Sequence, residues 1–346
     1  MSPRTAKAAK TPISEADQRW IAENLLRGAD QKSIANALIS SGRAEKAVHL
    51  EVEAAAQHPF VLGALAAREL WMRKIRKAHW ALDLQAKLES QRGGGRFVPR
   101  IARPTTEAFY EDYYFLNRPV LITGRMADWP ALSKWTPDYF VERWGEQEVE
   151  VQTKRDSDPI FEIQAQAHTE PLRFAEFIDR IRNVRSNDLY MTARNSGKNR
   201  DALAGLWEDI GQLPEYLAPT QPAPGYFWLG PAGTVTPTHH DLTNNMMAQV
   251  IGRKRVLIAS IIHLPHLYNH LHVYSQVDLA NLDFERFPEL RSVRVQECIL
   301  EPGELLFLPV GCWHKVEALD LSATMTFTNF KFDNDFHSFY AANGEL

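Results

Sequence analysis

The sequence predicts a mainly β protein, a sandwich or barrel of short strands, preceded by an all-helical N-terminal domain. After residue 96 the chain contains short apolar runs rich in β-forming residues, such as RVLIAS and SATMTFTNFKF, separated by Pro, Gly and Asn turns. Before residue 92, apolar residues instead recur at three- and four-residue steps, which indicates amphipathic helices. The change between these two patterns predicts two domains of different class.

Composition limits the class of protein. The chain has 346 residues, of which 45% are hydrophobic and 24% are charged, so it can bury a sizeable core. It has no run of about 18 apolar residues and no apolar segment after its basic N-terminus, so we expect neither a membrane span nor a secretory signal. Two cysteines, Cys298 and Cys312, are too few for a disulfide framework or a cysteine-based zinc site. We therefore expect a cytoplasmic protein.

Charge is unevenly distributed along the chain. The first 100 residues carry more Lys and Arg than Asp and Glu, whereas the remainder is acidic. Such asymmetry is compatible with a basic tail and solvated helix faces, or with an electrostatic partner such as nucleic acid or an acidic peptide. We favour solvated faces and expect no nucleic-acid partner.

The N-terminal region is predicted to contain a disordered basic tail, residues 1–12, and a helical domain, residues 13–92, that serves interaction or dimerisation. Ser14 followed by Asp17 predicts a capping box, and Asp30 can cap a second helix. A third helix, Ala44 to Gln57, stops before Pro59, and one long amphipathic helix starts at Val61.

The glycine-rich stretch RGGGR, residues 92–96, marks the predicted domain boundary, because consecutive glycines carry a high entropic cost in regular elements. Residues 93–346 then form the second domain. Within it we expect one helix, Leu172 to Arg182, among the strands.

Candidate metal ligands lie in the stretch TPTHHD. If residues 236–251 form one strand, side chains alternate, so His239 and Asp241 share one face while His240 points to the other. A His-x-Asp pair is a weak signal by itself, and a surface polar pair is the alternative. A third candidate ligand is therefore needed.

His314 is that candidate. It follows the turn Pro309 to Gly311 and opens another strand, where it could complete a set of two histidines and one carboxylate. Such a facial triad leaves positions open on a ferrous ion for a bidentate 2-oxoacid and dioxygen, whereas zinc prefers a closed tetrahedral set. The alternative is a core histidine beside Trp313.

Two further residues suit an acidic cosubstrate. Asn245 has the strand parity of His239 and Asp241, so it is expected to face the same pocket. Lys254 lies just past the Gly252-Arg253 turn, where its ammonium could meet a carboxylate inside a barrel. The alternative is a solvated lysine at a strand end.

Several blocks occur in an order that resembles a known family: LNRPVLITGRMADWPALSKW, TPTHHDLTNNMMAQVIGRKRVLIAS, YSQVDLANLDFERFPEL, LEPGELLFLPVGCWHKVEA and TMTFTNF. They resemble the cupin-like JmjC hydroxylases, most closely the asparaginyl hydroxylase that acts on hypoxia-inducible factor. The resemblance covers residues 116–332 and none of residues 1–95. It implies a double-stranded β-helix (jelly-roll) barrel and an Fe(II)- and 2-oxoglutarate-dependent dioxygenase.

The resemblance also implies roles for individual residues. The iron ligands would be His239, Asp241 and His314. The 2-oxoglutarate contacts would be Lys254, Asn245, Asn329, Thr236 and Tyr190. Thr236 has the opposite parity to His239, so it reaches the pocket only if Pro237 or a bulge re-aims the backbone.

The sequence departs from the asparaginyl hydroxylase at positions that contact its substrate. An Arg-Gln pair precedes the SQVD block there, whereas this chain has Val273 and Tyr274. That enzyme also dimerises through helices after the barrel, whereas this chain ends 14 residues beyond Phe332. If this protein forms a homodimer, we expect its N-terminal helices to mediate it.

The expected function is hydroxylation of a peptide or protein side chain, with release of succinate and CO2. We expect the segment 260–292 to form the wall of the substrate entrance. Its histidines His263, His266, His270 and His272 also suggest a second metal site, although their arrangement matches no standard closed site.

Other functions remain open. N-methyl-lysine demethylation or hydroxylation of a small molecule would use the same chemistry. The rivals from other classes are a catalytically inert cupin-like binding module and a metal cupin without an oxoacid, such as an isomerase. The combination of three ligands with Lys254 and the asparagines argues against both.

Overall fold

A computed structural model describes residues 11–91, 95–193, 196–220 and 224–340. The chain divides into two compact units, Met1–Leu84 and Gln85–Leu346. Residues 1–10 of the predicted tail and residues 92–94 of the predicted boundary lie outside the described residues. No helix within the described ranges is long and apolar enough to cross a membrane.

The first unit contains α1 (Glu15–Arg27), α2 (Gln31–Ser40) and α3 (Glu45–Gln57). The predicted capping box is confirmed, because the Ser14 side chain accepts a hydrogen bond from the Asp17 amide and the Asp17 side chain accepts one from the Ser14 amide. The first three helices pack around a small apolar core.

The fourth helix, α4, spans Pro59–Gln91. It begins at Pro59 and not at Val61, because proline is well tolerated in the first turn of a helix, where its missing N–H has no partner to lose. None of its residues is buried. The apolar residues that the sequence places along one face of this helix are therefore not buried in the described chain.

The second unit contains additional short helices that the sequence interpretation missed. The one predicted helix corresponds to a helix at Phe174–Ile181, which starts later than expected because residues up to Arg173 form a strand. Short helices with a threonine N-cap, such as those after Thr105 and Thr136, are too brief for a periodic pattern. The helices are α5 (Thr106–Phe109), α6 (Ala131–Lys134), α7 (Pro137–Trp144), α8 (Phe174–Ile181) and α9 (Ser196–Ala202).

The strands of this unit form the predicted double-stranded β-helix. The strands are β1 (Arg100–Ala102), β2 (Val120–Thr123), β3 (Glu148–Gln152), β4 (Thr169–Arg173), β5 (Tyr226–Gly230), β6 (Val235–His240), β7 (Asn245–Ile251), β8 (Lys254–Ala259), β9 (Asn269–Leu271), β10 (Tyr274–Ser275), β11 (Val295–Leu300), β12 (Leu305–Leu308), β13 (Trp313–Ala318) and β14 (Ser322–Phe327). One sheet has the order β1-β2-β12-β7-β14-β5, a second has the order β11-β8-β13-β6-β10-β9, and β3 pairs with β4.

Strand alternation separates two apolar clusters on β8. Val256 and Ile258 pack with residues of the other six-stranded sheet, whereas Leu257 and Ala259 pack with Trp313 and the segment after β8. Lys254 has the parity of Val256 and Ile258. Its side chain is therefore directed between the two sheets.

The turn between β7 and β8 requires glycine. Gly252 has a φ of +64°, and a Cβ atom there would lie 2.1 Å from the carbonyl oxygen of Leu321. Both the backbone conformation and the lack of space exclude a side chain. This turn fixes the start of β8 and with it the position of Lys254.

Candidate metal centre and cosubstrate cavity

The three predicted metal ligands lie on two adjacent strands. His239 is on β6 and Asp241 directly follows that strand, while the antiparallel register places His314 of β13 opposite His239. One ligand atom of each side chain lies within 4.8 Å of the others, so the three could hold one metal ion. No second group of this kind occurs in the described ranges, so the four histidines between His263 and His272 do not form one.

Backbone carbonyls orient both histidines. His239 Nδ1 lies 2.8 Å from the Pro237 oxygen and His314 Nδ1 lies 3.0 Å from the Cys312 oxygen. A carbonyl oxygen only accepts hydrogen bonds, so each Nδ1 must carry the proton and donate it. Each Nε2 is then left with a lone pair, as a metal ligand requires. The two Nε2 atoms lie 3.7 and 3.9 Å from the Asp241 carboxylate.

His240 points away from this centre, as strand parity predicts. Its ring packs edge-on against Trp313 with centroids 4.7 Å apart, and it also contacts Tyr340. Its backbone N–H donates to the Val273 oxygen. His240 therefore helps to pack the outer face of β6.

Electrostatics favour the protonation states that bind metal. Desolvation, together with the neighbouring His314, lowers the pKa of His239. Desolvation alone would raise the pKa of Asp241, but His314 and His239 hold it below its usual range. The result at neutral pH is a neutral imidazole beside an anionic carboxylate, which are the ligand forms.

Lys254 is buried in the same cavity. It is 2% exposed, and its Nζ donates to the Tyr190 hydroxyl oxygen over 3.2 Å. Burial lowers the pKa of Lys254 to about 7 and raises the pKa of Tyr190. No salt bridge joins Lys254 to a carboxylate among the described residues, so this site is suited to an anionic ligand.

Asn245 and Thr236 also reach the cavity. The Asn245 Nδ2 donates to Asp241 Oδ2 over 3.4 Å. His314 pairs with His239, whereas Val316, two residues later, pairs with Thr236, three residues earlier. The extra residue on β6 is a bulge, which reverses the parity and brings Thr236 to the side of His239. This is the condition on which the prediction for Thr236 depended.

Asn329 does not take the position that the resemblance implied. It lies two residues beyond β14, and its Nδ2 donates to the Ala218 oxygen over 2.5 Å. It is not among the residues that line the cavity. The strand ends before Asn329 because the chain there pairs with the segment around Ala218, whose N–H donates to the Asn329 oxygen.

The cavity has a volume of about 80 Å³, and seven of the eight predicted site residues line it. The sequence interpretation missed lining residues on β5 and β14. Trp228 donates its indole N–H to Thr326 Oγ1 over 2.9 Å, and Thr324 contributes a further hydroxyl. Alternating threonines in the otherwise apolar run SATMTF were a signal that could have identified Thr324 and Thr326.

A larger groove of about 650 Å³ lies beside Pro237 and Tyr274. Its wall includes Pro237, Glu162 and the stretch Tyr274–Asp278. The Tyr274 ring stacks on the metal-ligand candidate His239, with centroids 5.9 Å apart. The segment 260–292 thus contributes to the wall of this groove, and its predicted role at the substrate entrance stays a prediction.

Comparison with known proteins identifies the family. The profile of the cupin-like domain matches residues 106–338. The chain is 34% identical to the lysine-specific demethylase JMJ30 of Arabidopsis thaliana over 64% of this chain and 52% of that protein. It is 33% identical to lysine-specific demethylase 8 of Xenopus tropicalis over 66% of this chain and 52% of that protein.

A relative with a different name is the tRNA wybutosine-synthesizing protein 5 of Gallus gallus, which is 30% identical over 63% of this chain and 72% of that protein. The match spans about half the length of the two demethylases. The donor set of two imidazoles and one carboxylate fits ferrous iron, and the isolated buried ammonium fits an acidic cosubstrate. The chain belongs to the cupin-like JmjC domain family, whose members use Fe(II) and 2-oxoglutarate.

Proposed function

We propose that this protein is an Fe(II)- and 2-oxoglutarate-dependent oxygenase that hydroxylates a side chain of a peptide or protein, with release of succinate and CO2. The observation that carries the proposal is the position of Lys254 in the same small cavity as His239, Asp241 and His314. A metal triad alone would suit many reactions. A buried cation without a carboxylate partner in the same cavity selects an anionic cosubstrate.

His239, Asp241 and His314 would hold the iron on one face. Their geometry is set before the metal arrives, because the two imidazoles are fixed by the carbonyls of Pro237 and Cys312. Asn245 supports the third ligand by donating to Asp241. The ligands therefore lose little conformational freedom on binding.

Lys254 and Tyr190 would bind the distal carboxylate of 2-oxoglutarate, with Thr236 and Asn245 as further hydrogen-bonding groups. The ammonium and the phenol already contact each other, so they present two donors at one point. Asn329 is left out of this set, because its amide is bonded elsewhere.

When bound, the iron and 2-oxoglutarate would activate dioxygen, so that one oxygen atom enters succinate and the other enters a substrate C–H bond. The groove beside Tyr274 supports an extended substrate, because it is several times larger than the cosubstrate cavity. A peptide chain could lie in it and present one side chain to the metal.

The direct test uses purified protein with ferrous iron, 2-oxoglutarate and a peptide library, followed by mass spectrometry and succinate measurement. The proposal predicts peptides that gain the mass of one oxygen atom in step with succinate formation. If 2-oxoglutarate neither binds nor yields succinate under any of these conditions, the proposed function is wrong and the alternatives are an inert binding module or a metal cupin without an oxoacid.

Demethylation of N-methyl-lysine is a second candidate, because two relatives are named lysine-specific demethylases. The library should therefore include methylated lysine peptides, since loss of a methyl group and release of formaldehyde distinguish this outcome. The finer likeness to the asparaginyl hydroxylase is tested by asparagine peptides, and Val273 and Tyr274 are its main departures.

We propose an interaction or dimerisation role for the predicted helical domain, residues 13–92. Trp71 and Trp80 on α4 are more than half exposed, with Lys74 and Lys77 over their rings. Light scattering of the full chain and of a Trp71→Ala variant tests this, because a homodimer formed through α4 would weaken. A cytoplasmic location also remains a prediction.

A further inference from the structure

Arg155 is an arginine with no exposed surface, which is unusual because a buried guanidinium must replace its hydration with protein contacts. It opens a short helical turn, Arg155–Ser157, shortly after β3. It does not line the cosubstrate cavity. Any role of Arg155 at the cosubstrate site must therefore act through the residues that it contacts.

The guanidinium contacts three parts of the second unit. Its Nη2 donates to Glu162 Oε1 and to the Val235 oxygen, each over 2.8 Å. Its Cζ lies 5.0 Å from the ring centre of Tyr190 and 4.4 Å from that of Phe161. Nε and Nη1 have no hydrogen-bond partner within the described structure, so the aromatic rings are the main contacts on those sides.

These contacts join the cosubstrate cavity to the groove. Tyr190 lines the cavity and its hydroxyl accepts from Lys254, whereas Glu162 and Phe161 line the groove. Val235 is the first residue of β6, the strand that carries His239. Arg155 thus packs over the Tyr190 ring, whose hydroxyl contacts Lys254, and connects that ring to the groove wall.

We propose that Arg155 is a positioning residue for the cosubstrate: it holds the Tyr190 ring so that its hydroxyl and the Lys254 ammonium present two fixed donors to one carboxylate. This inference rests on the proposed 2-oxoglutarate binding. Without the cation, the Tyr190 ring loses one of its packing surfaces and Glu162 loses its charged partner. The Tyr190 hydroxyl then samples other positions, and the ordering cost is added to cosubstrate binding.

The test is calorimetric titration of the manganese-loaded protein with 2-oxoglutarate, which measures affinity without turnover. Arg155→Met should weaken binding on the order of 10-fold, the scale at which supporting partners of a site act. Tyr190→Phe should also weaken it. The double variant should lose less than the product of the two single effects, because Arg155 acts through the hydroxyl that Tyr190→Phe already removes.

Arg125 offers a matched control. It also pairs with a carboxylate, Glu215, and lies over a tyrosine ring, with its Cζ 5.8 Å from the ring centre of Tyr216, but none of the three lines the cavity. Arg125→Met should lower the midpoint of thermal unfolding while leaving the affinity for 2-oxoglutarate within about twofold of wild type.

The outcomes separate the inference from the function on which it rests. If the wild-type protein does not bind 2-oxoglutarate, the proposed function fails. If it does, and Arg155→Met binds equally well or its effect multiplies fully with that of Tyr190→Phe, the positioning role is wrong. If Arg155→Met does not fold, Arg155→Lys decides by the same criterion, because lysine keeps the charge but lacks the planar guanidinium that packs over the Tyr190 and Phe161 rings.

Discussion

His239 and His314 face each other as Cα partners on adjacent antiparallel strands, with their ring centres 4.2 Å apart. Metal binding at this centre therefore depends on the register between β6 and β13. The same register places His240 opposite Trp313, on the outer face. One pairing thus distributes three histidines between a metal site and a packing contact.

Substitutions should distinguish the metal ligands from the histidine that only packs. We expect His239→Ala and Asp241→Ala to abolish iron-dependent succinate formation and to remove stoichiometric metal binding, because each deletes one of three ligands. His240→Ala should keep much of both, with a lower midpoint of thermal unfolding from lost contact with Trp313. Metal content after dialysis and succinate yield are the measurements. Equal loss in all three variants would contradict the assignment by strand face.

Lys254→Ala should weaken 2-oxoglutarate binding strongly. Loss of one partner of a buried ion pair costs roughly 3 to 5 kcal/mol, which corresponds to a fall in affinity of about 100-fold to 1000-fold or more. The neighbouring Arg253 is exposed and bonded to Asp320, so Arg253→Ala is the control and should bind normally. A change below tenfold for Lys254→Ala would place the cosubstrate carboxylate elsewhere.

The affinity for 2-oxoglutarate should also depend on pH. Burial lowers the pKa of Lys254 to about 7, so in the free protein this side chain is neutral above that pH, whereas the bound dianion favours the ammonium. Binding at pH 8 should therefore take up a proton, and affinity should fall by up to about 10-fold per pH unit as the pH rises above about 7. Below that pH the dependence should disappear.

Calorimetry in buffers with different ionisation enthalpies measures the proton uptake. Lys254→Arg supplies the control, because an arginine stays protonated throughout this range. Proton uptake that persists unchanged in Lys254→Arg would assign the titration to another group.

Gly311→Ala should weaken metal binding by displacing the backbone of the metal-ligand candidate Asp241. Gly311 donates its N–H to the backbone oxygen of Asp241 over 3.0 Å and has a φ of +73°, and a Cβ atom added there would lie only 2.3 Å from Ile261 Cδ1. We expect a loss of about 1 to 3 kcal/mol in the free energy of unfolding and weaker metal binding. Denaturant titration and metal titration measure the two effects.

Gly303→Ala is the matched variant for this prediction. Gly303 also has a positive φ, +89°, but the nearest atom to its Cβ position would be 3.8 Å away, at Leu132. It should share the backbone strain without the clash and without an effect on metal binding. If Gly303→Ala weakens metal binding as much as Gly311→Ala does, the turn near Asp241 has no special role in metal binding.

Several features of the site followed from local rules in the sequence. Strand alternation separated His239 and Asp241 from His240, whose ring packs on Trp313 at the opposite face of the strand. Asn245 also lines the pocket, but not for the predicted reason: residues 236–251 form two strands in different sheets, so alternation along the strand of His239 does not reach Asn245. Helix capping by Ser14 and Asp30 was equally predictable, because a cap involves residues only three apart.

Other features were decided by contacts between distant parts of the chain. The bulge on β6 that brings Thr236 to the cavity exists only in the pairing with β13, so parity along one strand could not reveal it. Asn329 does not line the cavity, and its Nδ2 donates to the oxygen of Ala218, a residue more than 100 positions earlier in the chain. Arg155 lies far from Tyr190 in sequence and meets it only when the second unit folds.

The sequence by itself thus determined the chemical class of the site and which side chains share a strand face, since alternation and residue type are local properties. Only the tertiary structure decided the bulge on β6, the carbonyls that orient His239 and His314, and the contact between the buried Arg155 and the Tyr190 ring. Register and burial depend on pairing between strands that are distant in sequence, and the sequence of one strand does not specify which strand pairs with it.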